Sequence, residues 1–138
     1  MIQRIQSLIL VGVVAISVLV FFIPLGEKQD PTGTLQQLMV FNHIELIIIN
    51  AIICAVSIYT ILMYHKRTLQ MKLCRLGSLV SVAHLVVAFL LAEEMVGKGK
   101  VHYLIGTYLT ALQPVLFFVA RKFIWKDEQL VKSADRIR

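Results

Sequence analysis

The sequence predicts an all-α integral membrane protein, a four-helix up-down bundle with a cytoplasmic amphipathic C-terminal helix. Three observations carry that reading. Apolar residues make up 58% of the 138 and charged residues 16%, against about 45–50% and about 25% in soluble domains. Four apolar runs each approach the roughly 20 helical residues needed to cross a hydrocarbon core. The basic residues sit in blocks beside those runs, on alternate connections. A soluble chain this short exposes too much of itself to water to hide so much apolar surface.

The expected membrane domain is 1–120, with spans at about 7–25, 44–63, 76–92 and 103–120, and the expected tail helix is 121–138. Arg4 ahead of an apolar run mimics a signal peptide. The run is longer than a usual signal core and no A-x-A cleavage pattern follows, so the reading is an uncleaved first span. All four runs are rich in Val, Ile and Leu, which in water would favour strands. Lipid does not tolerate open strands, so length and scarcity of charge decide for helix.

The connections set the orientation. The first, 26–43, holds Glu27, Lys28 and Asp30, with a turn signal at Asp30-Pro31-Thr32-Gly33. The second, 64–75, holds Lys66, Arg67, Lys72 and Arg75 and no acid. The third, 93–102, holds Glu93, Glu94, Lys98 and Lys100, with Gly97 and Gly99 for flexibility. Adding Arg4 and the tail residues Arg121, Lys122, Lys126, Lys132, Arg136 and Arg138 places eleven of the 14 Lys and Arg on one side. That asymmetry predicts cytoplasmic ends and a cytoplasmic second loop. An even number of spans requires the ends to share a side, so the two inferences agree. The net charge of +6 therefore reflects membrane topology, not nucleic-acid binding.

In the tail, Ile124, Leu130, Val131, Ala134 and Ile137 fall near one face at helical spacing. Glu128–Lys132 and Lys132–Asp135 are favourable helix pairs, and Trp125 suits the headgroup level. Such a helix either rests on anionic headgroups or docks a partner. The candidates for that cytoplasmic interaction are Lys66, Arg67, Lys72, Arg75, Lys126, Asp127, Glu128, Lys132, Asp135 and Arg136.

Three segments carry a family resemblance: Met1-Ile2-Gln3-Arg4-Ile5-Gln6, Leu69-Gln70-Met71-Lys72-Leu73-Cys74-Arg75-Leu76, and the closing run from Lys126 to Arg138. Together they resemble a family of small four-span membrane proteins of Gram-negative bacteria, domain of unknown function 4293. The resemblance implies a bacterial inner-membrane location and carries over no catalytic or binding residue. The stretch Ala120-Arg121-Lys122-Phe123-Ile124-Trp125 is bulkier than the Asn-Arg-Ala type run the family usually has there.

Polar groups inside spans are costly and often functional. Here the midplane candidates are Asn50, His84 and Gln113. His84 and Gln113 lie at similar depths on neighbouring spans, so the expectation is a hydrogen bond between them acting as interhelical glue. Toward the outer face lie His43, Glu45, Glu93, Glu94 and His102, residue types that bind divalent metals. Their spacing is poor for a local site, because residues two apart do not share a helix face. They read as interfacial side chains, and no metal ligand is assigned. Cys54 and Cys74 form no CxxC pair. No phosphate loop, HExxH or GxSxG is present, and an intramembrane enzyme would need two converging titratable groups where His84 stands alone.

The expected function is thus non-enzymatic and without cofactor: an accessory or scaffold subunit presenting the basic loop and tail to a partner or to anionic lipid. The alternative is a small transporter or ligand-binding membrane protein using the midplane residues, which with four spans would work as a homo-oligomer.

Overall fold

The computed structural model describes residues 2–29, 35–96 and 102–135, with side chains over 5–28, 35–94 and 102–133. The elements run α1 (Ile2–Phe22), β1 (Gly26–Gln29), β2 (Leu35–Leu38), a 3-10 turn (Val40–Asn42), α2 (Ile44–Leu62), α3 (Arg67–Val96), β3 (His102–Tyr103) and α4 (Ile105–Asp135).

α1 stops before Pro24, which disfavours helical backbone at the residue ahead of it. α2 follows the expected span closely. α3 does not: it begins at Arg67 rather than at 76 and runs to Val96. The second connection therefore shrinks to a tight turn, in which the Lys66 amide donates to the Met63 carbonyl and the Gln70 amide to the Lys66 carbonyl. Arg67, Lys72 and Arg75 lie on the first turns of a helix instead of in a loop. α4 is a single 31-residue helix that passes through Pro114, so the division expected at residue 121 coincides with no break in the chain's path.

Each helix packs against two others, α1 on α2 and α4, and α3 on α2 and α4. The buried positions explain how. They are Gln6, Leu10, Val13, Ser17 and Val20 on α1, and Leu46, Asn50, Ile53, Ser57 and Thr60 on α2. On α3 they are Gln70, Cys74, Gly77, Ser81, His84 and Ala88; on α4, Gly106, Thr110, Gln113, Phe117, Ala120 and Ile124. In all four helices the steps alternate four and three residues, the 3.5-residue period that keeps one seam facing its neighbours along a bundle.

The outside is the apolar side. Leu8, Leu79, Tyr108 and Phe118 are 71, 70, 69 and 61% exposed, the reverse of a soluble helix, whose apolar stripe faces the core. α1, α2 and α3 contain segments long and apolar enough to cross a membrane. α4 does not reach that mark, which corrects the expectation of four such runs. Thr107, Thr110, Gln113 and Pro114 dilute it, yet Thr107, Thr110 and Gln113 are buried, and its outward face still shows Tyr108, Leu112, Val115 and Phe118.

The chain is not purely helical. The segments after α1, before α2 and before α4 form a three-stranded antiparallel sheet in the order β2-β1-β3. Gly26 stands opposite both Leu38 and Tyr103, and Glu27 opposite Gln37 and His102. Just ahead of it, the Leu25 amide donates to the Leu38 carbonyl, and the Leu25 carbonyl accepts from the Leu104 amide and from Thr107 Oγ1 at 2.5 Å. One residue thus ties three chain segments together at what is here called the sheet end; the α2–α3 turn and the end of α4 form the turn end. Thr107→Val removes the hydroxyl bond while the Leu104 amide remains, so it lowers stability by about 1 kcal/mol, read by thermal unfolding in detergent. The turn signal at Asp30–Gly33 and the glycines Gly97 and Gly99 lie outside the described residues.

Candidate functional site

The seam period puts polar side chains in the interior at defined levels. Asn50 Nδ2 donates to the Ser17 carbonyl at 3.0 Å, and Gln113 Nε2 donates to Ser17 Oγ at 3.0 Å. Ser81 stands at this level on α3 and returns its hydroxyl to the Gly77 carbonyl at 2.8 Å. Ser57, Thr60 and Thr110 likewise bond the carbonyl four residues back, the usual way a hydroxyl is satisfied inside a helix. Nearer the turn end, Gln70 Nε2 donates to the Thr60 carbonyl at 2.9 Å.

Asn50 and Gln113 therefore converge, on Ser17. The expected His84–Gln113 hydrogen bond is not formed. The reason is register: Gly77 lies against the Phe117 ring and Ser78 Oγ against the Pro114 carbonyl at 3.5 Å. That alignment sets Gln113 beside Ser81 and leaves His84 about one turn, or ~5 Å, toward the sheet end. His84 is fully buried, and neither ring nitrogen finds a hydrogen-bond partner among the described residues. Gln6, Ser17 and Gln70 were not singled out from the sequence, although the four-three spacing that buries them is visible there.

The outer-face candidates lie at or near the sheet end. Glu45, Glu93, Glu94 and His102 are exposed and His43 is half-buried at the sheet end. Among the described residues no three His, Cys, Asp or Glu side chains form a group able to hold a metal ion.

At the turn end the structure does bring predicted residues together. Arg67 Nε lies 3.3 Å from Asp127 Oδ2 and its Nη1 4.0 Å from Glu128 Oε2. Lys132 Nζ sits 3.3 Å from Glu128 Oε1, the helix pair the spacing predicts. Asp127 continues the α4 seam one step beyond Ile124, which is why the first arginine of α3 can reach it. Beside these pairs is a cavity of about 800 Å³ lined by Tyr64, His65, Lys66, Arg67, Lys72 and Glu128; the Tyr64 and His65 rings meet at a tilt of 40° with centroids 3.8 Å apart. Arg75 lines a separate recess with Cys74 and Arg121, and Lys126 a groove with Ile5, Trp125 and Leu130. Ile124 is fully buried in the bundle, whereas Leu130 and Val131 are exposed. The Asp135 side chain and Arg136 lie outside the described residues.

These features define a class: a helical protein with three helices long and apolar enough to cross a membrane, a polar seam inside and charge gathered at the helix ends. The chain belongs to the family described as Domain of unknown function (DUF4293), whose model matches residues 2–137. No curated protein and no solved structure matches it.

Proposed function

We propose that this is a four-span, up-down membrane bundle of the bacterial inner membrane, with the turn end in the cytoplasm. It acts there as a non-enzymatic accessory or scaffold subunit. α4 is the fourth span, because its apolar residues face out along the same length over which its polar ones face in. The observation that carries the functional reading is the Arg67–Asp127–Glu128 cluster. It joins the start of α3 to the end of α4, so that the basic residues of both become one surface. Lys66 and Lys72 line the cavity beside it, Lys132 pairs with Glu128 of its wall and Lys126 lines the neighbouring groove, charges suited to the headgroups of anionic lipid or an acidic partner.

The bundle geometry sharpens the test. Deleting all of 121–138 would remove Ile124 from the core, so the informative variant keeps the helix and reverses exposed charge: Lys72→Glu, Lys126→Glu and Lys132→Glu together. Crosslinking in native membranes, compared with the wild type, should lose the co-purifying proteins, and binding to anionic vesicles should fall. The same partners and the same vesicle binding in both proteins would sink the proposal. The second reading, a small oligomeric transporter or ligand-binding protein, draws its support from the unpartnered polar atoms of Asn50, His84 and Gln113.

A further inference from the structure

The interior polar groups divide into those that are satisfied and those left over. Asn50 turns its NH₂ to a backbone carbonyl, which can only accept, so its Oδ1 takes no part in that bond. That oxygen, Gln113 Oε1 and both nitrogens of His84 find no hydrogen-bond partner among the described residues, and nor do Gln6 Oε1 and Gln70 Oε1 nearer the turn end. Gln113 and His84 are fully buried and Asn50 is 5% exposed. A buried polar atom without a partner bears its whole desolvation penalty. Three side chains doing so at adjacent levels of one bundle call for a common ligand.

The chemistry of the atoms selects it. The two amide oxygens only accept. A neutral imidazole carries one donor and one acceptor. A cation would serve the oxygens and leave the ring N–H orphaned, and an anion would do the opposite. Water donates and accepts, and a buried water typically makes about three hydrogen bonds.

The surroundings give the site its limits. On the sheet side lies an apolar cluster that includes Val20, Leu25, Leu38, Leu46 and Ala88. On the turn side lies a second that includes Leu10, Val13, Ile53 and Phe117, where the Phe117 ring lies against the bare Cα of Gly77. Asn50 and Ser17 also line a crevice of about 290 Å³ between α1 and α2, so the polar level meets the outer surface on that flank.

We propose that Asn50, Gln113 and His84 hold a small cluster of water in a polar compartment within the bundle, closed along the bundle axis by an apolar layer on either side of it. The compartment is independent of the cytoplasmic role and stands whether or not that role does.

Solid-state NMR of the full chain in lipid bilayers tests this without a variant, by following polarisation passed from water protons to individual side chains. The His84 ring signal, assigned by its loss in His84→Phe, should receive transfer, as should the Asn50 and Gln113 amides. The Ile53 methyl, in the apolar layer toward the turn end, should show none. No transfer at His84 means a dry core and overturns the site. Equal transfer at His84 and Ile53 means a water path running past Phe117 and overturns the closed compartment.

Discussion

Gly77→Val lowers the stability of the bundle by about 2 kcal/mol, an overpacking cost that exceeds the few tenths gained from valine's better helix propensity. A Cβ at position 77 would stand 2.5 Å from Phe117 Cε1 and Cζ and 2.9 Å from Cδ1, closer than atoms can approach. Phe117 is fully buried against a cluster of Leu10, Val13, Ile53, Cys74 and Ala120, so the ring has nowhere to swing and the helices must separate. Phe117→Leu alone leaves a partial void and destabilises as well. Combined, the two changes compensate, because the added methyls occupy the space the ring gave up. The double variant should therefore be more stable than the sum of the singles predicts, by about 1 kcal/mol or more. Reversible unfolding of all four proteins in mixed micelles measures this. Strict additivity would mean that Gly77 and Phe117 do not share one space.

That contact also shows what could and could not be read in advance. The start of α2 was legible, since the charges and turn residues before Ile44 give way abruptly to an apolar run. The start of α3 was not. A search for uncharged runs begins the span at 76, but Lys72 and Arg75 are exposed on the helix surface. There their long stems can lie along apolar surface while the charges reach water. Which residues face inward was hidden for a different reason. With Val, Ile and Leu on every face, the apolar residues carry no periodicity. The information sits in the small and polar ones, and Gln70, Gly77, Ser81 and His84 mark the seam of α3.

The sheet was beyond a local reading. β1 and β3 are each a few residues long and lie far apart in sequence, and their pairing depends on the helices delivering them to one end. Gly106 permits that delivery. A Cβ there would meet the Pro24 carbonyl oxygen at 2.6 Å, so only glycine lets α4 start against the exit of α1. Among the site candidates, Asn50, His84 and Gln113 lie in the interior. Their partners were not legible, because a hydrogen bond depends on helix register, which depth alone does not supply.

Arg67→Glu should release the end of α4 from the start of α3 while leaving the bundle folded. The substitution removes the 3.3 Å contact to Asp127 and places a third carboxylate beside Asp127 and Glu128, whose side chains are 14 and 19% exposed. Like charges so juxtaposed can cost several kcal/mol; partial exposure screens this, so an effect of about 2 kcal/mol is expected. That corresponds to an increase in local opening of roughly thirty-fold. Arg67→Gln, which loses attraction without adding repulsion, should cost about 1 kcal/mol or less. Hydrogen exchange reads the result directly: the amides beyond Trp125 should exchange faster in Arg67→Glu, those around Phe117 and Ala120 should not change, and added salt should narrow the difference. Ile124 is what confines the effect, since its full burial anchors α4 one turn before the charges. The paired exchange Arg67→Asp with Asp127→Arg should restore much of the protection. If the amides beyond Trp125 exchange alike in wild type and Arg67→Glu, the ion pairs do not hold α4 against α3. The basic groups of the two helices would then be separate patches and not one surface.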